Sequence, residues 1–182
     1  MIRGFSLVET VIVVALSVVM LLTLGFLVYS FNESVSYQQA IAQSSGSADM
    51  LMREAGSLVL PADAVLQTHT FSSSTHTSSS TTLVIEIPSI DSSGMVIANT
   101  YDYATFYTEG PDAYRLLEAN TLSRRVSGTK LLSSTVSALT FSYDAADFTQ
   151  VDTVTIDLQT QAQVKQHPLS DHRQEQLRLR NH

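Results

Sequence analysis

RGFSLVETVIVVALSVVMLLTLGFLVYSF, residues 3–31, decides how the rest of the chain is read. From Phe5 to Phe31 its single formal charge is Glu9, and Arg3 stands just outside. Between Val11 and Phe31 the residues are mostly Val, Leu, Ile, Ala, Met and Phe, relieved by Ser17, Thr23, Gly25 and Ser30. About 21 residues at a rise of about 1.5 Å make about 31 Å of helix, the thickness of a bilayer's hydrocarbon core. Ser17 and Thr23 can return their hydroxyls to carbonyls of the preceding turn, so they cost little in lipid. A cleaved secretory signal has a shorter apolar core and a small-residue cleavage site. This run is longer and ends on Asn32-Glu33-Ser34. The stretch predicts a membrane-spanning helix. Glu9 is out of place in a plain anchor, because a carboxylate in hydrocarbon is costly unless paired or protonated. Either it sits at the interface, close enough to Arg3 to snorkel, or it has a partner elsewhere.

The residues around Glu9 bear on that choice. Gly4-Phe5-Ser6-Leu7-Val8-Glu9 resembles the processing motif of type IV pilins and type II secretion pseudopilins. In that family a short basic leader ends in Gly, the mature chain starts with Phe or Met, its fifth residue is Glu, and an apolar helix follows. Met1-Ile2-Arg3-Gly4 matches the leader, Phe5 the mature start and Glu9 the fifth residue. The resemblance implies that prepilin peptidase, a membrane aspartyl protease, cuts between Gly4 and Phe5 and methylates the new amine of Phe5. A glycine at the cut leaves the backbone open to the protease. The other implied partners are pilin or pseudopilin subunits, with Glu9 facing the N-terminal amine of a neighbour's Phe5. A paired charge in an apolar bundle is costly to break and would fix axial register. Arg3 suits the cytoplasmic side. The implied location is the bacterial inner membrane, crossed once with the head outside the cytoplasm, and then a pilus or pseudopilus.

Beyond Asn32 the helical pattern continues. Ile41, Ala48, Met52, Ala55 and Val59 form one apolar stripe through polar sequence. One long helix is expected from about Phe5 to about Gly56, with Pro61 as a stop. Residues 71–82 are nearly all Ser and Thr and read as a solvated loop. From Leu83 the texture turns to strands: Leu83 to Ile87 ending at Pro88, Tyr101 to Tyr107, and Ala113 to Glu118. Leu131 to Val136 follows. Leu139/Phe141/Tyr143 and Val154/Ile156/Leu158 then alternate with polar residues, the period of half-buried strands. Turns are expected at Asp91–Gly94 and Glu109–Asp112. The expected fold class is α+β, a long N-terminal helix against an antiparallel β-sheet head, pilin-like. The divisions are a leader (1–4), a transmembrane helix (5–32), its amphipathic continuation (33–60), a β-rich head (61–167) and a polar tail (168–182). The strand pattern, closing on Val136 to Tyr143 and a V-x-I-x-L strand, is similar to that of J-type minor pseudopilins.

Composition narrows the function. The chain has 182 residues, with 10 Lys and Arg against 17 Asp and Glu for a net charge of -7, which argues against a general nucleic-acid binder. Arg124, Arg125 and Lys130 make a thin basic stripe, expected to be a solvated strand edge. Cysteine is absent, so no disulfide framework or thiol nucleophile is available. His69, His76, His167, His172 and His182 lack zinc-site spacing and read as solvated loop residues. Asp91/Glu109/Asp112 and Asp144/Asp147 lack the D-x-D-x-D spacing of a calcium loop. No nucleophile elbow, phosphate loop or carboxylate pair is found. The expectation is a structural subunit with no catalytic residues, cofactor or metal. A DNA-uptake minor pilin of a competence system, or a membrane-anchored exoprotein using a prepilin leader, are the alternatives.

Overall fold

The computed structural model describes residues 6–72, 74–164 and 167–180. The chain divides into two compact units, Met1–Ala40 and Ile41–His182. Helix α1 (Leu7–Val59) begins in the first and ends in the second. Gly46 and Gly56 weaken helix propensity by about 1 kcal/mol each, yet α1 runs through both and stops just before Pro61.

In the second unit α1 is held by one face. Ser44, Ala48, Leu51, Ala55, Leu58 and Val59 are buried. They recur at the three- and four-residue steps of a helical stripe. Met52 packs partly buried beside them, while Ile41 stays exposed at 41 %. Ala48, Ala55 and Val59 of the expected stripe thus lie on the buried face, which Ser44, Leu51 and Leu58 widen and which does not take in Ile41.

Two antiparallel sheets complete this unit. The first has the order β1-β4-β5-β6-β7, from β1 (Ala64–Val65), β4 (Leu83–Ile90), β5 (Val96–Glu109), β6 (Asp112–Glu118) and β7 (Gly128–Ser133). The second has the order β10-β9-β8, from β8 (Val136–Tyr143), β9 (Thr153–Val164) and β10 (His167–Arg178). Leu83, Ile85, Ile87, Ala104 and Phe106 of the first sheet share one core with Leu139, Phe141, Val154, Ile156 and Leu158 of the second and with the buried helix stripe. Alternation along each strand puts these residues on one face. Polar ties join helix to strands: Ser44 Oγ lies 2.8 Å from Thr160 Oγ1, and Ser47 Oγ 3.0 Å from Thr135 Oγ1. Glu54 accepts from Arg115 at 2.9 Å and from Lys130 at 2.8 Å.

Both expected turns close hairpins. Glu109 pairs with Asp112 across Gly110-Pro111, with Gly110 at φ +62°, a conformation that glycine adopts without strain. Asp91 accepts from the N–H groups of Ser93 and Met95 and binds its own turn.

Four expectations are corrected. Strand β4 does not end at Pro88 but continues to Ile90. Pro88 lies beyond Glu86, where pairing with β1 stops, so its missing N–H breaks no ladder there. The segment from Leu131 to Val136 is not one strand, since β7 ends at Ser133 and β8 begins at Val136. The Ser/Thr-rich stretch is not a structureless loop. Thr75–Thr77 forms β3 and pairs with β2 (Thr68–Thr70), Phe71 is 3 % exposed, and Ser78 Oγ donates to Leu66 O while accepting from Val84 N. Finally, the stretch after Pro168 is not a tail as far as Arg180: through Arg178 it belongs to β10, paired along β9, and Leu177 and Leu179 are buried in the core. Polar residues alternating with few apolar ones describe an edge strand as well as they describe a solvated tail.

Candidate functional site

The segment singled out by sequence lies at the start of α1. Ser6 precedes the helix as a cap: its hydroxyl accepts the Glu9 N–H at 3.3 Å, and its carbonyl accepts the Thr10 N–H at 3.1 Å. Ser6-x-x-Glu9 is thus the spacing of a capping box, and the Glu9 carboxylate stands in the first turn, where the helix dipole favours an anion. Sequence reasoning passed over this local role, although the S-x-x-E signature before an apolar run would have revealed it. Gly4 and Phe5 lie outside the described residues.

From Leu7 to Phe31 the apolar side chains have nothing covering them. Every residue from 6 to 34 is exposed, Phe26 at 72 % and Phe31 at 69 % among them. Ser17 Oγ donates to Val13 O and Thr23 Oγ1 to Met20 O, each at 2.8 Å, so these hydroxyls are satisfied inside the helix. This one helix is long and apolar enough to span a membrane.

His69 and His76 do not stand as expected. His69 and His76 face each other across β2 and β3 and are partly buried. The His69 ring stacks on Tyr103 at 3.9 Å, and its Nε2 lies 3.1 Å from Glu118 Oε2. His76 lies 4.7 Å from the Tyr107 ring, and Phe71 meets both imidazoles edge-on. Burial pulls the His76 imidazole below its ordinary value of 6.5, against the opposing pull of Glu109. Burial and nearby carboxylates raise Tyr103 and Tyr107, which keeps their hydroxyls protonated. His172 lies 3.0 Å from Asp157 on the strand pair β9–β10. His167 falls within β10, and His182 lies outside the described residues.

The acidic groups are occupied locally. Asp91 closes its turn, and the hydrogen bonds from Ser93 and Met95 hold its carboxyl below the usual range. Asp147 caps the short 3₁₀ turn Phe148–Gln150, and Asp144 accepts the Asp152 N–H at 3.2 Å. Asp112 accepts the Tyr114 hydroxyl at 3.2 Å. Among the described residues no group of three His, Cys, Asp or Glu side chains is placed to hold a metal.

The basic stripe is not a solvated edge. Arg125 enters the structure and places Nη1 2.7 Å from Oδ2 of the fully buried Asp102 and 2.7 Å from Pro88 O. Asp102 also accepts from Ser89 Oγ, Ser123 Oγ and the Asn120 N–H. Burial pushes this carboxyl up, but Ser89, Arg125, Asn120 and Ser123 together outweigh burial and hold it below the usual carboxylate range. Lys130 is engaged by Glu54. Arg124 alone of the three has no ion pair among the described residues.

The chain matches no family model, no curated protein and no solved structure.

Proposed function

We propose that this chain is a pilin-like structural subunit, a minor pilin or pseudopilin. Residues 1–4 are its leader, prepilin peptidase cuts between Gly4 and Phe5 and methylates Phe5, and the product assembles with other pilin-class subunits into a type IV pilus or type II secretion pseudopilus. One observation carries this reading. Glu9, the single charge between Phe5 and Phe31, falls fifth in a chain beginning at Phe5, at the start of an uncovered apolar helix. Spanning a bilayer does not itself require a carboxylate there. Capping explains an acid in the first turn, but it does not explain a Gly-Phe junction placed five residues before it.

On this reading the Glu9 carboxylate is the counter-charge to the Phe5 amine of a neighbour. The α+β unit from Ile41 onward is the head carried outside the cytoplasm. A DNA-uptake role has less support, because Arg125 and Lys130 are committed to Asp102 and Glu54.

The test is incorporation of Glu9 variants. Glu9→Leu is expected to insert and be cut, since the junction is unchanged and the helix more apolar. It is expected to be depleted from sheared filaments a hundredfold or more, because breaking a buried pair costs about 3–5 kcal/mol. Glu9→Gln keeps a hydrogen-bonding group and is expected to fall between. Wild-type incorporation of the Leu variant would reduce Glu9 to an acid in the helix's first turn and leave the subunit reading without its assembly contact.

A further inference from the structure

Within the second unit, one end of the five-stranded sheet carries two loops that meet. Ser47 meets Thr135, and the Val136 N–H bonds Pro111 O, so the Gly110-Pro111 turn lies at the Ser47 end of the helix. The turn at Asp91–Met95 and the connection from Ala119 to Ser127 therefore lie at the other end of the strands. They carry four large exposed apolar side chains: Met95 at 68 %, Val96 at 65 %, Leu122 at 67 % and Val126 at 80 %.

The two loops form one surface. The Arg124 N–H bonds Ile90 O at 2.8 Å, and the Arg124 guanidinium lies over Gly94, 3.5 Å from where a Cβ would stand. Gly94 has φ +88°, so the turn keeps this shape only with a residue tolerant of that region. Beneath them, Asp102 and Arg125 fix residues 119–127 with Ser89, Ser123 and Asn120. Breaking a buried ion pair is costly, so the Asp102–Arg125 contact ties this loop to β5 while Leu122 and Val126 stay exposed. A rigid loop loses less entropy on binding than a mobile one.

We infer that this tip docks a segment of another protein in which a carboxylate is flanked by apolar residues. The apolar side chains supply the contact area, and Arg124, a cation without an ion pair among the described residues, supplies the charge that such a segment complements. An anionic membrane surface fits less well. Electrostatic membrane binding uses clusters of about 4–8 basic residues, whereas this tip offers one on a chain of net charge -7. A tip-to-tip pair of copies would oppose two Arg124 side chains. The inference is independent of the subunit reading and can fail without it.

The probe is a phage-displayed library of random peptides, panned on the full chain in nanodiscs of zwitterionic lipid. Enriched peptides are expected to carry Asp or Glu among Leu, Ile, Phe or Trp. Their affinity by fluorescence anisotropy is expected to fall at least tenfold with Arg124→Glu and with the double change Leu122→Ser, Val126→Ser, and to hold with Met50→Ser on the helix. Replacing the peptide's carboxylate by Lys is expected to restore binding to Arg124→Glu, a gain that a misfolded variant cannot produce. No enrichment, a consensus without an acid, or binding indifferent to Arg124→Glu would overturn the inference. So would self-association through the same loops, or equal binding to anionic vesicles.

Discussion

Arg125 reaches across the end of the five-stranded sheet and sets Nη1 2.7 Å from Oδ2 of Asp102, a carboxylate with no exposed surface. Removing the cation leaves a buried charge with hydrogen bonds from Ser89, Ser123 and Asn120 only. Arg125→Leu is therefore expected to lower unfolding free energy by about 3–5 kcal/mol, read as a reduced urea midpoint with unchanged slope. The pair has an acid signature too. The folded carboxyl titrates below its unfolded value of 3.8, so its contribution is present above that pH and lost as pH falls through the folded value. Asp102→Asn is expected to remove this part of the acid limb, and an unchanged limb would show that other groups produce it.

The β2–β3 hairpin is expected to behave as part of the fold despite its composition. Phe71 is 3 % exposed and meets both His69 and His76 edge-on. Phe71→Ala is expected to cost about 3 kcal/mol and to release protection of the amides of His69 and His76, the hydrogen-bonded pair inside the hairpin, in hydrogen exchange. Exchange at wild-type rates would mean that the hairpin holds without its ring.

The same hairpin is expected to loosen in mild acid. Burial depresses the folded His76 value below its ordinary value of 6.5, so the neutral ring is the one the fold favours. That contribution is present above 6.5 and lost as pH falls from there through the folded value. Hairpin amides are expected to exchange faster at pH 5 than at pH 7 after correction for intrinsic rates. His76→Phe is expected to flatten the difference, and persistence of the full effect in that variant would assign it to another group.

How much of this was legible follows period and partner. Val154, Ile156 and Leu158 alternate, and they face the core. The apolar helix was visible in composition alone. Ala48, Ala55 and Val59 of the helix stripe were legible, whereas Leu51 and Leu58 were passed over, because spacing alone does not say how wide a face meets a sheet. Phe71 and Leu177 escaped notice because each is a single apolar residue in polar sequence, where burial depends on a distant strand. Arg125 read as surface for the same reason: its partner Asp102 lies on β5, and nothing local announces the pair. At the candidate site, the Gly4-Phe5 junction and Glu9 are sequence features, while the Ser6 cap emerged from geometry.

The central claim is that the chain is processed as a prepilin, and intact-mass spectrometry of the membrane-extracted protein tests it most directly. The protein is expressed in a host with active prepilin peptidase and in the same host lacking that enzyme. The account predicts a chain beginning at Phe5 and heavier by one methyl group in the first host, the unprocessed chain in the second, and an uncut precursor for Gly4→Leu in both. A chain that still begins at Met1 in the first host, while another prepilin there is cut, would contradict it.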